Sequence, residues 1–183
     1  MNPNLTPPAS CPGALPFKIS VLVFLHDERG RHLLIRRRKA PNRDCWSPIG
    51  GKLEMALGES PFECAIRETA EETGHSIAAA DLHLFGMVSE RAYEGGTHWL
   101  MFLFECRKPL TALPPEIEEG VFGFFDRAEI EKLHLPPTDT MLVWPVHDRF
   151  HAGGFQVYRA DCDPSRPPKM TVEETMGQIA ATP

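Results

Sequence analysis

A chain of 183 residues, 42% hydrophobic and 24% charged, has the composition of one globular domain with modest extensions and is unlike disordered, collagen-like or coiled-coil chains. Lys and Arg number 19 against 25 Asp and Glu, a net charge of −6 that disfavours nucleic acid or an anionic membrane surface as partner. The longest apolar runs, Ile19 to Leu25 and Trp99 to Phe104, fall short of the roughly 18 to 20 residues that span a bilayer.

The first 17 residues carry no Lys or Arg and no continuous apolar region, so no secretory leader is expected and the cytoplasm is the expected compartment. Five of the 18 prolines lie in residues 1–16 and four more in the last 20, which reads as an irregular flank over 1–16, a folded domain over 17–162 and a tail over 163–183. Phe17 to His26 reads as a strand ending in the turn Asp27-Glu28-Arg29-Gly30, and His32 to Arg37 as its return. Ser60-Pro61-Phe62-Glu63 combines a capping-box Ser, Pro at the first helical position and Glu at the third, and predicts a helix that runs to Gly74. Leu82 to Glu90, His98 to Arg107 and Gly120 to Phe125 read as strands. Asp126 with Glu129 starts a short helix, Thr138 or Asp139 caps a last one ending near Gly153, and Phe155 to Ala160 closes the domain as a strand. Strands interleaved with helices in this irregular order predict an α+β chain or an α/β/α sandwich with a mixed sheet. The five cysteines are scattered and form no CxxC pair, as expected of reduced structural thiols.

The chemistry concentrates on the first helix. At 100° per residue, Glu68, Glu71 and Glu72 share one face, with Phe62, Ile66, Thr69 and Thr73 assigned to the other. Like charges three and four residues apart destabilise a helix by roughly 0.2 to 0.5 kcal/mol per pair, and no cationic partner is expected at matching spacing to offset them. A hard divalent cation, Mg²⁺ or Mn²⁺, does so. The alternative is a solvated acidic face favoured by the helix dipole.

The surrounding residues add a pattern. The segment GKLEMALGESPFECAIRETAEETGH, Gly51 to His75, resembles the signature of the Nudix (MutT-like) hydrolases, GX5EX7REUXEEXGU with U aliphatic. The spacing from Glu59 through Arg67-Glu68 and Glu71-Glu72 to Gly74 matches. Two extra residues separate Gly51 from Glu59, within Met55-Ala56-Leu57, and Thr69 and His75 stand at the U positions. The resemblance implies a Nudix α/β/α sandwich and cleavage of a nucleoside diphosphate linked to another group. By position, Glu68, Glu71 and Glu72 would hold the metals, Gly51 would offer its carbonyl, Glu59 would support the cluster, Arg67 would orient it and Glu68 would act as the base. Chemistry agrees, since water attacking a pyrophosphate requires neutralised phosphate oxygens and a positioned, activated water.

Outside the motif, Glu119, with Glu118 and Glu116 beside it, is placed to add a metal ligand, or is part of a solvated run. Arg29, Arg31, Arg36, Arg37, Arg38, Lys39 and Arg43 fall in a stretch without acids where an anionic ligand could sit. Strand alternation separates Arg37 from its neighbours, so Arg36 and Arg38 are the residues assigned to substrate phosphate. LHLPPTDTMLVWP resembles Nudix enzymes acting on oxidised purine nucleoside triphosphates, in which an acid reads the base. Asp139 would take that role, unless it is an N-cap, with Trp99, Phe102, Phe124 or Trp144 as stacking surfaces. His147 and His151 have zincin spacing, but Asp148 replaces the Glu and no third ligand is evident. The expected substrate is a small nucleotide, foremost a nucleoside triphosphate. Dinucleoside polyphosphate cleavage, with Tyr93 as its marker, ADP-ribose cleavage and a non-catalytic nucleotide sensor are the alternatives.

Overall fold

A computed structural model describes residues 15–40 and 42–177. The strands are β1 (Phe17–His26), β2 (His32–Arg37), β3 (Trp46–Ser47), β4 (Leu82–Tyr93), β5 (Thr97–Cys106), β6 (Gly120–Phe125), β7 (Phe155–Asp161) and β8 (Lys169–Met176). The helices are α1 (Pro61–Thr73), α2 (Arg127–Ile130) and α3 (Trp144–Phe150), the last preceded by a π-helical turn over Asp139–Val143. One mixed sheet runs in the order β3-β2-β1-β5-β4-β7-β8, with β6 along the other edge of β2. The β1–β5 and β4–β7 pairs are parallel and the others antiparallel.

Helices cover both faces of the sheet, which is why Val21 to Leu25 of β1 reads as an unbroken apolar run. Its alternation sends Val21, Val23 and Leu25 into a core with Cys64 and Ala65 of α1, and Phe24 into a second core with Trp144 and Phe150 of α3. The architecture is the expected α/β/α sandwich. β1 and β2 pair only at Leu25–Leu33 and His26–His32. Past that point residues 49–53 take the edge of β1 instead, through Val23 N–H to Ile49 O and Val21 N–H to Gly51 O, both 2.9 Å, and Leu53 N–H to Ile19 O at 3.1 Å. This substitution of a loop for a strand brings Gly50 and Gly51 under α1.

The start and end of α1 follow from local chemistry. Glu63 N–H donates to Ser60 Oγ, the Glu63 carboxylate accepts the Ser60 N–H at 2.8 Å, and Gly74 closes the helix at φ 71°. Thr69, in place of an aliphatic residue, satisfies its buried hydroxyl on Ala65 O at 2.7 Å.

The structure departs from the sequence expectations in several elements. The helix buries Cys64, Ala65 and Thr69, a stripe adjoining Glu68 and Glu72 rather than opposite them, so the carboxylates stand at the margin of the core. Neither Thr138 nor Asp139 makes a side-chain cap at the last helix, which opens as a π turn. The expected tail contains β8, which pairs with β7 from Phe155–Met176 to Asp161–Lys169. Of the 1–16 flank, residues 1–14 lie outside the described residues, as do Cys11 and residues 178–183. The Pro16 carbonyl accepts the His98 N–H at 2.8 Å. The other four cysteines are buried free thiols. His147, 2% exposed, faces Glu105 with Nε2 at 3.0 Å from Oε2 and stacks on Phe24 and His151. His147 and Phe150 of the HDRFH segment are therefore core, while Asp148 and Arg149 are exposed.

Because α1 carries the motif carboxylates and its first turn is held by Ser60, Ser60→Ala should cost about 1 kcal/mol. Thermal unfolding should show this as a fall of roughly 2 to 4 °C at this chain length.

Candidate active site

Arg67 lies at the centre of the motif acids. Its Nε and Nη2 donate to the two oxygens of Glu59 at 2.7 and 3.0 Å, its Nη1 to Glu68 at 2.8 Å and Glu71 at 3.1 Å, and Nη2 also to the Lys52 carbonyl at 3.1 Å. A planar guanidinium is suited to this fork geometry. The cationic partner not expected from the spacing is thus present: Arg67 and Glu71 are themselves four residues apart. Glu59 is held as an anion, its carboxyl lowered to about 2 chiefly by the Arg67 bonds. The extra loop residues form an exposed 3₁₀ turn over Met55–Leu57, ended by Gly58 at φ 68°. The Glu59 carboxylate also accepts the Glu54 N–H at 2.7 Å, so the insertion closes on itself and leaves the Glu59–Arg67 contact in place.

Glu68 and Glu72 point at the glycine loop. A Cβ on Gly51 would lie 2.0 Å from Glu68 Oε1, and one on Gly50, at φ 148°, would lie 2.1 Å from the Val21 carbonyl oxygen. The Gly51 carbonyl, assigned to metal by resemblance, already accepts the Val21 N–H. What the fold requires of Gly51 is room for a carboxylate. Burial raises the Glu68 carboxyl against the pull of Arg67. Glu72 is pushed up to about 8, first by burial and then by Glu68, with Glu119 adding repulsion and the Gly50 N–H and Arg37 opposing. Glu71 is the exposed member.

One positive charge is therefore shared among several acids, and the surplus sits on Glu68, Glu72 and the more distant Glu119. Their donors are all hard oxygens, and Arg67 occupies one oxygen of Glu68, leaving the other. The set fits an oxygen-preferring divalent cation in donor chemistry and in charge. Among the described residues no three acidic, His or Cys side chains already converge as a finished cage.

A cavity of about 470 Å³ adjoins this cluster, lined by Glu68, Gly51 and Lys52, by Arg37, whose charge acts on both Glu72 and Asp139, and by Trp99, Met101, Tyr93, Glu90, Thr138 and Asp139. Of the three motif carboxylates on α1 only Glu68 reaches it. Arg36 and Arg38, assigned to substrate phosphate, are not in its lining. Arg36 pairs with Asp44 at 3.4 Å, and Arg38 with Glu116 and the Ile117 carbonyl, each at 2.9 Å. The alternation that separates Arg37 from them turns Arg37 toward the cavity. The basic stretch is otherwise largely compensated by ion pairs such as Arg31–Asp27 and Lys39–Glu118. Of the aromatic candidates Trp99 lines the cavity, whereas Trp144 is buried and Phe102 and Phe124 pack on the α1-side core.

Sequence reasoning passed over Gly50, Lys52 and Glu90. Glu90 carried one signal, a carboxylate following Gly86 and Val88 on the inward parity of β4.

The profile of the NUDIX domain matches residues 16–151. The chain is 33% identical over 100 residues to the uncharacterized Nudix hydrolase YvcI of Bacillus subtilis, covering 54% of this chain and about three-fifths (62%) of YvcI. In fold it is similar to the MutT protein of Methanosarcina mazei (TM-score 0.62, 23% identity, 73% of this chain and 95% of that one). The NUDIX domain of Shewanella oneidensis NrtR, solved with ADP ribose, is also similar (0.59, 16%, 74% and 88%). So is the dihydroneopterin triphosphate pyrophosphohydrolase of E. coli (0.56, 21%, 73% and 96%).

The raised Glu72 carboxyl has a thermodynamic sign. Its folded pKa, about 8, exceeds the ordinary 4.5, so the folded chain binds the extra proton and loses stability as pH rises between those values. Glu72→Gln removes that loss. In chelator the variant should melt a few degrees above wild type at pH 8.5 and no higher than wild type near pH 4.5, by differential scanning calorimetry.

Proposed function

Because the chain belongs to the Nudix family, we propose that it hydrolyses a phosphoric anhydride in a nucleoside diphosphate linked to another group, with Mg²⁺ or Mn²⁺ as cofactor. The leading substrate class is a nucleoside triphosphate, cut to the monophosphate and pyrophosphate. The observation that carries this reading is a single cavity whose lining joins Glu68 of the α1 cluster to an aromatic and polar set, Trp99, Tyr93, Glu90, Thr138 and Asp139. A nucleotide has the same division between phosphates and base.

Glu68, Glu71, Glu72 and Glu119 would hold the cation, which supplies neutralisation of the phosphate oxygens and acidification of water. The chain's own residues do the rest. Arg37 and Lys52 meet the phosphates. Glu68, raised by burial and facing the cavity, takes the proton of a water whose oxygen attacks phosphorus. As the new P–O bond forms, the bridging P–O bond breaks and its electrons leave with pyrophosphate. Arg67 is a positioning residue: among the described residues its side-chain hydrogen bonds go to acids of the cluster or to the Lys52 and Cys64 atoms beside them.

A second reading, cleavage of a dinucleoside polyphosphate, is favoured by Tyr93. It lines the cavity and donates to Asn42 Oδ1 at 2.6 Å. Product chromatography over nucleoside triphosphates, dinucleoside polyphosphates and ADP-ribose with Mg²⁺ separates the two.

Activity should vanish in EDTA and return with Mg²⁺. Glu72→Gln should lower kcat by about two orders of magnitude or more with the fold intact by circular dichroism. Gly51→Ala should fold, because the flexible Glu68 carboxylate can swing away, and lose activity comparably. Gly50→Ala should lose stability instead, because its Cβ meets the Val21 backbone. Activity unchanged in EDTA would refute the metal assignment.

A further inference from the structure

Alone among the described strands, β8 buries none of its residues. It pairs with β7 along one edge, and its second edge meets no strand among the described residues. A free edge of this kind presents unpaired N–H and C=O groups, a template for another strand. Ala160 of β7 opposes Met170 and Tyr158 opposes Val172, and directly opposed residues share a face of a sheet. Met170 and Val172 therefore continue the α3-side face on which Tyr158 and Ala160 are buried, yet they stay 38% and 47% exposed. Glu173 is the extra residue of a bulge, between the Tyr158–Val172 and Val157–Glu174 pairs, and has no partner on β7. Neither Lys169 nor Glu173 forms an ion pair among the described residues. Two apolar side chains and two opposite charges thus stand open along one edge.

We propose that this edge is a self-association surface whose partner is the β8 strand of a second copy of the chain, paired antiparallel about Thr171. The segment Lys169-Met170-Thr171-Val172-Glu173 is complementary to its own reverse. In that register Lys169 lies opposite Glu173 of the partner subunit, Met170 opposite Val172 of the partner subunit, and Thr171 opposite Thr171 of the partner subunit. Two-fold symmetry makes each unlike pair occur twice. Opposite-charge, apolar and Thr–Thr pairs all favour adjacent antiparallel strands. A slip of one residue loses the match: one register sets Met170 against Glu173 and Val172 against Thr171, the other Lys169 against Val172 and Met170 against Thr171. A strand of another protein would meet the same backbone without this alternation of charges, methionine, threonine and valine. The pairing uses the single free edge of β8 in each copy, so it closes at two chains. The paired segment is short, which places the contact among the weak, concentration-dependent ones.

The test is sedimentation velocity of the full chain over a micromolar to submillimolar concentration series. Wild type should pass from monomer to dimer as concentration rises, and to nothing larger. Glu173→Lys sets Lys opposite Lys at both ends of the paired segment and should weaken dimerisation about tenfold or more. Lys169→Glu sets acid opposite acid and should do the same. Mixed in equal amounts, the two variants place unlike charges at both ends again. With a fluorophore on one of them, the mixed dimer should form within about threefold of wild-type affinity. Damage to β8 itself would not be repaired by mixing. Melting temperature checks that each variant folds, and Met170→Lys, which sets a charge against Val172 of the partner subunit, serves if either does not and should also weaken dimerisation. A monomer at every concentration, a dimer indifferent to these substitutions, or charge variants that stay apart when mixed would each overturn the proposal, the second meaning that another surface is used.

Discussion

The contact between the Glu68 carboxylate and the bare backbone of Gly51 organises the site. An oxygen stands where a side chain would begin, so α1 can press its acids onto residues 49–53 only because that loop carries two glycines in succession. The loop is in turn fixed as a surrogate strand on β1. The acids brought there carry more negative charge than Arg67 can offset. Glu59 is committed to Arg67 and the Glu54 N–H, and Glu72 is left half-buried against Glu68 with its carboxyl raised. A folded chain that concentrates uncompensated hard donors in one place is destabilised there by their mutual repulsion.

The sheet decides what lies around that cluster. Splitting β2 away from β1 after two residue pairs opens a cavity beside the glycine loop. The strands β1, β5 and β4 carry it from the metal-type cluster to Glu90 and Asp139. The two ends differ in kind. At the α1 end the acids are partly paired and their surplus suits a metal. At the other end two buried carboxyls, Glu90 and Asp139, share the lining with Thr138, Tyr93, Trp99 and Met101.

Much of this was legible from local signals. The bounds of β1, β2, β6 and α1 were read directly, because turn residues, a capping box and a left-handed glycine act over a few residues. The motif spacing located the acid cluster despite the insertion, since the insertion loops out as a 3₁₀ turn. What depended on distant partners was not legible. β8 forms in a proline-bounded stretch because β7 offers an edge, and Arg36 and Arg38 could be distinguished from Arg37 in parity but not in which parity faces a cavity. The burial of Cys64 and Ala65 next to the carboxylates likewise reflects the sheet above α1, which no helical wheel contains.

The central claim is that surplus carboxylate charge at Glu68 and Glu72 is what a divalent cation answers. It is tested most directly by Mg²⁺ titration calorimetry near pH 7.5 in two buffers of different ionisation enthalpy. The account predicts Mg²⁺ binding that releases protons, seen as a buffer-dependent heat, because the raised Glu72 carboxyl must ionise to coordinate. In Glu72→Gln the release should be lost. Absence of binding, or a buffer-independent heat identical in the variant, would contradict it.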